Sequence, residues 1–393
     1  MESSINIPLD LIQHFEKIYI DEDTLNSKVS QRVLKFFPPE KIQILSKLNI
    51  EQDQLPAELR IKGPLSAEQF SRSKKLLHIT QFKGQFFKRC PGASQKRALT
   101  CCNYHVLNLG QQCNMNCSYC YLQSYLNTPT MKMYSNIEDA LGELKKMAEE
   151  FPEQPFRVGT GEVIDSLSVD EITLYSRDLI QFFKNYPKWT LEFKTKSNKV
   201  DQFLDMDHGG NVLTSWSINP QFIISKEEHG TASLEERLTA ARKCADKGYP
   251  LSFHIDPMIY FEGWQKTYSD FFEELTRRFK PQEVQVISIG SPRFQPEQRH
   301  MMRERFGMDS LIVNSEMFPS EAGKLRYDLG IRTEMYNFAL QKFRQIDPLW
   351  KVYMCMETPE SWIQVFDKSP NQVSELKNFF KPLPKIRPFE NEN

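Results

Sequence analysis

The hydrophobic pattern of the chain changes near residue 100. Before it, apolar residues recur mostly at helical intervals, and prolines at 38, 39, 56 and 64 divide the region into short elements. After it, short β-rich runs alternate with amphipathic helical segments. The predicted strands are residues 105–109, 156–158, 191–195, 212–218, 251–255 and 284–289. This alternation predicts a parallel sheet with helical crossovers, either doubly wound or curled into a barrel.

The sequence predicts where two of the crossover helices begin. Ser168 to Glu171 and Ser233 to Glu236 both place a serine three residues before a glutamate, which is the capping-box pattern. Gly248 lies where a glycine would end the second of these helices. Cys244 falls near the apolar face of that helix, so we expect it to pack in the core.

The residues just past each predicted strand are polar or contain glycine. In a barrel these strand ends gather on one face, where ligands bind. Loops are polar in most folds, however, so this convergence favours a barrel only weakly. The loop after the first strand is more specific, because Cys113, Cys117 and Cys120 stand there with C-x3-C-x2-C spacing.

Three thiolates in so short a loop can hold one soft metal centre. A 4Fe-4S cluster bound by three cysteines keeps one iron without a protein ligand, open to an exogenous amine and carboxylate. The alternative is a closed zinc site, although the paired C-x2-C spacing of many zinc sites is absent. Its fourth ligand would be Cys90, Cys101, Cys102 or His105.

Charge is balanced over the whole chain but not along it. Fifty Lys and Arg face 51 Asp and Glu, which excludes a uniformly basic nucleic-acid coat and an acidic tail. From residue 69 to residue 137, however, there is no acid, which predicts a local cationic surface for phosphates. The cations of this window are Arg72, Lys74, Lys75, Lys83, Lys88, Arg89, Lys96, Arg97 and Lys132. A chance run on a solvated face is the alternative.

The cysteine motif resembles the signature of the radical SAM superfamily, C-x3-C-x-Φ-C, with Tyr119 as the aromatic residue. The resemblance implies that S-adenosylmethionine binds the open iron of a 4Fe-4S cluster and is cleaved to a 5′-deoxyadenosyl radical. It also implies an α/β fold, a partial (β/α)6 TIM-like barrel of radical SAM type with N-terminal and C-terminal α/β extensions. The corresponding domains are 1–98, 99–295 and 296–393.

Several longer segments resemble the spore photoproduct lyase family. They are KIYIDEDTL, FSRSKKLL, CSYCYLQ, SWSINPQFI, SLEERLTAARK, GYPLSFHIDPMIYFEGW and VYMCMETPESW. Most of the chain is covered. The resemblance implies a lyase that repairs a thymine dimer lesion in DNA. It further implies a DNA substrate and an electron donor such as flavodoxin or ferredoxin.

The resemblance also implies roles for single residues. Tyr119 would lie beside the adenine of the cofactor, and both Tyr119 and Tyr121 would relay hydrogen after repair. The cofactor would further contact the residues that follow three strands, namely Gly159, Thr160, Gly161, Glu162, Lys196, Ser217 and Asn219. Within this set Glu162 would receive the ammonium and Lys196 the carboxylate. Core packing, a plain turn or a surface lysine are the alternatives.

For the substrate, Lys324, Arg326 and Tyr327 resemble a basic-aromatic turn that touches the damaged strand in the lyase. Arg326 would hold phosphate, and Tyr327 would wedge or stack against a base. An ordinary solvated loop is the alternative.

The chain departs from the family at one place. The lyase carries a cysteine shortly after its second strand that returns hydrogen to the product, but no cysteine lies between Cys120 and Cys244 here. Cys355, in a predicted strand beyond the sixth, is the candidate substitute, with a buried structural cysteine as the alternative. A radical SAM enzyme with another substrate, or a zinc-containing nucleic-acid-binding protein without catalysis, therefore remain open functions. Without a leader or an apolar span, we expect a cytoplasmic protein that does not enter a membrane.

Metal content separates the enzyme from the zinc protein. After anaerobic reconstitution we expect iron and sulfide in the amounts of one 4Fe-4S cluster per chain, and reductive cleavage of S-adenosylmethionine. Metal analysis and chromatography of the cleavage products measure both. One tightly bound zinc with no cleavage would contradict the enzyme.

Overall fold

The computed structural model describes residues 5–46, 55–90, 99–100, 102–320, 323–374 and 376. None of the helices in these ranges is long and apolar enough to cross a membrane. The N-terminal elements are α1 (Leu9–His14), β1 (Lys17–Asp21), α2 (Lys28–Phe36), β2 (Ile42–Leu45), α3 (Ala67–Ser73), β3 (Leu76–Thr80) and β4 (Phe87–Arg89).

The central elements follow the predicted alternation. They are β5 (Tyr104–Leu107), β6 (Gly110–Gln111), β7 (Asn116–Cys117), α4 (Leu122–Tyr125), β8 (Met131–Tyr134), α5 (Ile137–Glu150), β9 (Arg157–Gly159), α6 (Asp170–Thr173), α7 (Tyr175–Phe183), β10 (Thr190–Thr195), β11 (Val212–Ser217), α8 (Gln221–Glu227), β12 (Glu228–His229), α9 (Leu234–Asp246), β13 (Leu251–Ile255), α10 (Trp264–Arg278), β14 (Val284–Ile289) and β15 (Arg293–Phe294). The C-terminal elements are α11 (Pro296–Phe306), β16 (Phe318–Pro319), β17 (Leu325–Arg326), α12 (Leu329–Ile346), β18 (Val352–Met354) and α13 (Pro359–Phe366).

The largest sheet has eight strands in the order β18-β14-β13-β11-β10-β9-β5-β4. All neighbours are parallel except β4, which runs antiparallel to β5. Residues of β11 and β13 are buried along their whole length, as expected for central strands of a parallel sheet covered on both faces. The α/β partial barrel is therefore confirmed. Its six predicted strands are extended by β4 at one edge and by β18 at the other, and Cys355 directly follows β18.

A second sheet, of order β2-β1-β3-β8-β6, joins the N-terminal region to the barrel segment. The mostly helical interpretation of residues before 100 is thus incomplete, because β1, β2 and β3 are only four or five residues long and their alternation is brief. Strands β8 and β6 lie beyond the predicted boundary at residue 98. Backbone pairing therefore crosses that boundary, and the domain division stays a prediction.

One of the two predicted capping boxes is present. Ser233 Oγ accepts from the Glu236 N–H, and the Glu236 carboxylate accepts from the Ser233 N–H. Gly248 follows the C-cap of α9 with φ +82°, as predicted. The predicted capping box at Ser168 is wrong. Asp165 accepts from the Ser168 N–H instead, and α6 begins two residues later at Asp170.

The C-terminal region is tied to the barrel by the buried Glu357. Its carboxylate accepts from the guanidinium groups of Arg326 and Arg332, from the Tyr336 hydroxyl at 2.8 Å and from the Ser361 hydroxyl at 3.0 Å. A buried carboxylate is stable only when such partners replace its hydration. Glu357 therefore fixes α12, α13 and β17 relative to the end of β18.

The Glu357→Gln substitution should destabilise the fold by about 3–5 kcal/mol, because it leaves two buried arginines without a counter-charge. Urea unfolding followed by circular dichroism measures the free energy of unfolding. The exposed Glu360, in the first turn of α13, is the matched control, and its glutamine variant should lose less than about 1 kcal/mol. Equal losses in the two variants would contradict the role of Glu357.

Candidate active site

The cysteine loop runs between β5 and α4 at the carboxyl edge of the large sheet. Cys113 and Cys117 are buried, and Cys120 is half-buried. Within the loop β7 pairs antiparallel with β12, so that Cys117 lies opposite Glu228. The Ser118 N–H donates to the Glu227 carbonyl at 2.8 Å. The segment after α8 therefore holds the loop from one side.

Residues from the two ends of the chain hold the loop from other sides. Lys74, directly after α3, donates from Nζ to the carbonyls of Cys113 (2.9 Å) and Met115 (2.7 Å). On α11, Gln298 donates to the carbonyls of Tyr119 (3.1 Å) and Cys120 (3.2 Å). The three cysteines are thus positioned by contacts with residues far away in sequence.

Arg305 is the second cation at this loop. Its guanidinium donates to the side-chain oxygens of Gln123 (2.7 Å), Ser71 (3.1 Å) and Asn116. Burial lowers the pKa of Arg305 to about 10, against the attraction of the Cys120 and Cys117 thiols. Burial likewise lowers the pKa of Lys74, and all three thiols oppose that shift.

Glu228 is the centre of a buried polar cluster behind Cys117. It accepts from Tyr119 Oη (2.5 Å), from Arg237 (2.6 Å) and from Asn219 Nδ2 (3.3 Å). Burial alone would raise the pKa of Glu228, but Arg237 and the nearby Lys196 outweigh it and lower the pKa to about 2. Glu228 is therefore ionised at neutral pH and orients the Tyr119 ring.

Asn219 is placed differently from the prediction. It is buried, donates to Glu228 and to the Pro257 carbonyl (3.1 Å), and accepts from Tyr268 Oη (3.1 Å). Its amide hydrogens are used in these structural contacts, which argues against the predicted cofactor contact. The Ser217 carbonyl accepts from Arg237 at 2.8 Å, and the cofactor contact of the Ser217 side chain stays a prediction.

The Gly159 to Glu162 turn is adjacent to the cysteine loop. Tyr121 Oη donates to the Glu162 carbonyl at 2.7 Å and so links the two loops. Gly159 is required by packing, because a Cβ there would stand 1.5 Å from the Tyr104 hydroxyl. A Cβ on Gly161 would stand 2.9 Å from the Lys194 carbonyl. The glycines therefore allow the turn to fold against its neighbours.

Asp165 organises the same turn and was not predicted. One carboxylate oxygen accepts from Thr195 Oγ1 at 2.6 Å and the other from the Lys196 N–H at 2.8 Å. The Thr160 hydroxyl donates to Ser166 Oγ at 2.9 Å. With its backbone held in this way, Lys196 places Nζ 5.7 Å from the centre of the Tyr119 ring.

Another polar group is buried among the barrel strands. Glu192 accepts from Arg157 (2.7 Å) and from His254 Nε2 (2.9 Å). It faces away from Leu191 and Phe193, because side chains alternate along a strand. Burial alone would raise the pKa of Glu192, but Arg157 and His254 hold it well below its usual range. Burial and Lys194 lower the pKa of His254 to about 4, so its ring is neutral at pH 7.

Cys355 follows β18 and continues its pairing, since its N–H donates to the Ile289 carbonyl at 2.9 Å. It lies near the buried ion pair between Arg293 and Asp256, whose atoms are 2.7 Å apart. Burial and the charge of Asp256 raise the pKa of Cys355 to about 12. The side chain is therefore a protonated thiol at neutral pH.

The predicted substrate turn forms a small antiparallel sheet of β15, β17 and β16. Lys324 is half-buried there, but Arg326 is buried in the ion pair with Glu357. Tyr327 is 3% exposed, and its hydroxyl accepts from the Tyr260 N–H at 3.3 Å. This burial argues against the phosphate contact of Arg326 and the wedge role of Tyr327. The exposed aromatic side chain of the same sheet is Phe318, in β16.

The acid-free window does not form one cationic face in the described part of the chain. Lys74 is buried under the cysteine loop, Arg72 pairs with Glu58 at 3.4 Å, and Lys88 lies on the edge strand β4. Phe86 and Phe87 of this window are buried in the core. Lys96 and Arg97, like Cys101 of the zinc alternative, lie outside the described residues.

Comparison with known proteins agrees with this geometry. The profile of the family described as "Spore photoproduct lyase" matches residues 14–366. The chain belongs to the spore photoproduct lyase family. It is 27% identical over 265 residues to the spore photoproduct lyase of Geobacillus sp. (strain Y412MC61), covering 67% of this chain and 76% of the relative. For the enzyme of Bacillus subtilis (strain 168) the identity is 26% over 317 residues, covering 80% and 88%.

The fold agrees with solved structures of spore photoproduct lyase. A variant with bound AdoMet and dinucleoside spore photoproduct has a TM-score of 0.73 and 24% identity, and the match covers 87% of this chain and 99% of that one. Members of the family are radical SAM enzymes with a 4Fe-4S cluster and S-adenosylmethionine.

The residues present fit that cofactor. In the described residues no three His, Cys, Asp or Glu side chains lie close enough to hold a single metal ion, so the tetrahedral set of a zinc site is not assembled there. Three thiols from one loop match the ligand set of a cluster that keeps one iron without a protein ligand. Cys113, Cys117 and Cys120 would hold it, and Lys74 and Arg305 are cations beside them.

The low pKa of Glu228 predicts a pH-dependent stability. The folded pKa of about 2 is below the ordinary 4.5, so the contribution is complete above pH 4.5 and disappears as the pH falls towards 2. Glu228→Gln should therefore be less stable than the parent by roughly 3 kcal/mol at pH 7, with a smaller difference at pH 3. Urea unfolding at several pH values measures it.

The control for this experiment is Glu273→Gln, at an exposed position of α10. Its difference from the parent should stay near zero at each pH. A Glu228→Gln difference that is the same at pH 7 and pH 3 would contradict the ionised state of Glu228.

Proposed function

We propose that this chain repairs the spore photoproduct, a thymine dimer lesion, in DNA by radical SAM chemistry. The observation that carries the proposal is the three-cysteine loop at the carboxyl edge of a partial barrel, in a chain that belongs to the lyase family. When bound, the cluster and S-adenosylmethionine supply the radical that removes one hydrogen atom from the lesion. An electron donor such as flavodoxin or ferredoxin would reduce the cluster.

In this proposal Lys196 binds the carboxylate of S-adenosylmethionine. Its backbone is fixed by Asp165, and its Nζ lies beside Tyr119 and the Glu228 cluster. Tyr119 packs beside the adenine, with its hydroxyl oriented by Glu228. Glu162 receives the ammonium at the turn joined to Tyr121. Lys196 lies near Cys117, and Tyr121 links Glu162 to the cysteine loop, so these side chains would contact S-adenosylmethionine bound beside the cysteines.

Cys355 is the proposed hydrogen donor. Once the bond between the two bases has broken, the product radical needs one hydrogen atom, and a protonated thiol can give it. The raised pKa of Cys355 keeps that hydrogen on sulfur. The thiyl radical left behind would regain hydrogen from Tyr121, whose hydroxyl lies at the turn of Glu162. One electron from the flavodoxin or ferredoxin and one proton from water would then restore the tyrosine, so that atoms and electrons balance.

For the DNA, the small sheet near the end of β14 is the proposed contact, with Lys324 and the exposed Phe318 in place of Arg326 and Tyr327. Lys324 supplies positive charge for a phosphate, and Phe318 supplies an apolar face for a base. The buried Arg326 keeps the sheet in position through Glu357.

A radical SAM enzyme with a different substrate is the second candidate, and one observation favours it. The turn from Gly159 to Ser166 has no cysteine, and its Val163 and Ile164 are buried. The hydrogen donor of the family is thus absent from that turn. The two candidates differ in whether a dimer lesion gives up hydrogen.

An oligonucleotide that contains the spore photoproduct, deuterated at the abstracted position, tests the function. We expect deuterium in 5′-deoxyadenosine and restored thymines, measured by mass spectrometry. The undamaged deuterated oligonucleotide is the control and should transfer nothing. Cleavage of S-adenosylmethionine without transfer from the lesion would favour another substrate.

The Cys355→Ala variant tests the donor. Label transfer should persist, because it precedes the donor step, whereas intact thymines should fall at least tenfold in favour of abortive adducts. Cys244→Ala, which removes a buried thiol of α9, is the matched control and should repair normally. Normal repair by Cys355→Ala would contradict the assignment and would direct the search to Cys102, a neighbouring thiol.

A further inference from the structure

Two cations at the cysteine loop, one buried and one half-buried, donate to neutral groups. Lys74 is 3% exposed, and its ammonium donates to Gln112 Oε1 (3.3 Å) and to the Cys113 and Met115 carbonyls. Arg305 is half-buried and donates to three neutral side chains, Ser71, Gln123 and Asn116. Among the described residues, neither forms an ion pair with a carboxylate.

Four arginines among the barrel strands and the C-terminal region are arranged differently. Each has a carboxylate partner at 2.6 to 3.0 Å, in the pairs Arg157–Glu192, Arg237–Glu228, Arg293–Asp256 and Arg326–Glu357. A buried charge without an opposite charge is costly, because neutral acceptors replace only part of its hydration. The contrast indicates that Lys74 and Arg305 serve an anion that is not a side-chain carboxylate.

The three cysteines are the groups that these cations share. Lys74 contacts the backbone on both sides of Asn114, at the carbonyls of Cys113 and Met115. Arg305 contacts the side chains of Asn116 and Gln123, which flank Cys117 and Cys120. Its guanidinium also packs on the Phe70 ring at 4.6 Å, with the Lys74 ammonium 4.7 Å from the same ring. Both cations are therefore held at the same aromatic ring.

We propose that Lys74 and Arg305 are the built-in counter-charges of the cysteine-bound cluster and raise its reduction potential. Three thiolates outweigh the positive charge of the oxidised cluster core, and reduction adds a further negative charge. Fixed cations beside the thiolates stabilise the reduced state more than the oxidised state. Both residues are positioning residues, since they act through the cluster. The inference rests on the cofactor of the proposed function and not on the lesion.

The test is the midpoint potential of the reconstituted cluster, measured by EPR-monitored redox titration without S-adenosylmethionine or DNA. Lys74→Met should make reduction at least tenfold less favourable, which is about 59 mV for one electron. Lys74→Arg, which keeps the charge, should remain near the parent. Arg305→Met and Arg305→Lys form a second pair with the same expected contrast.

Lys75→Met is the matched control, because Lys75 is the next residue but contacts His14 (3.3 Å) instead of the loop. Its potential should be unchanged. Uptake of iron by the charge-keeping variants but not by the two methionine variants would also support a counter-charge. Equal potentials in Lys74→Met and Lys74→Arg, or equal loss of iron in both pairs, would overturn the proposal.

The measurement separates this inference from the proposed function. A chain that fails to repair the lesion can still show the shift in potential, because neither lesion nor S-adenosylmethionine is present. If the parent repairs the lesion but the methionine variants keep its midpoint potential, only the counter-charge role of Lys74 and Arg305 is refuted.

Discussion

A short loop with three metal-binding thiolates has too little regular structure to fix their positions, so contacts with the rest of the protein must do so. This constraint governs the arrangement of the site. From Cys113 to α4 the loop has only the two-residue strand β7 as regular structure. Its carbonyls are therefore held by Lys74 from the N-terminal region and by Gln298 from α11. Precise orientation of metal ligands depends on such surrounding contacts. The extensions on either side of the barrel are thus part of the metal site.

The buried carboxylates likewise depend on partners from other parts of the chain. Glu228 and Glu192 are buried with arginine partners, which keep both carboxylates ionised inside the protein. The buried Glu357 also pairs with arginine and fixes α12, α13 and β17. Glu228 accepts a hydrogen bond from the Tyr119 hydroxyl and so orients it. Asp165 likewise accepts from the Lys196 N–H and fixes the backbone there. The side chains proposed to meet the cofactor are consequently oriented by buried charges, which limits their freedom before any ligand binds.

The barrel and the cysteine loop could be predicted from the sequence, because both depend on local patterns. Strands β10, β11, β13 and β14 are short runs rich in β-branched, aromatic and other apolar residues, and the cysteine spacing is confined to eight residues. Lys74 and Arg305 could not be predicted, since a buried lysine has no local signature and 231 residues separate the two. The failure at Arg326 has the same origin. A basic residue in a predicted turn indicates exposure until its distant partner, Glu357, is known.

A parallel barrel also explains how a catalytic thiol could change its position in the sequence. The carboxyl ends of all parallel strands meet at one edge, so a group after β18 and a group after β9 approach the same space from different strands. A donor cysteine can therefore be lost after β9 without a change of fold if another strand supplies a thiol. The pKa of that thiol must be high enough for it to keep its hydrogen. Cys355 meets that requirement because burial and Asp256 both disfavour its thiolate. Removing the charge of Asp256 would lower the pKa of the Cys355 thiol, whereas removing the charge of Arg293 would raise it.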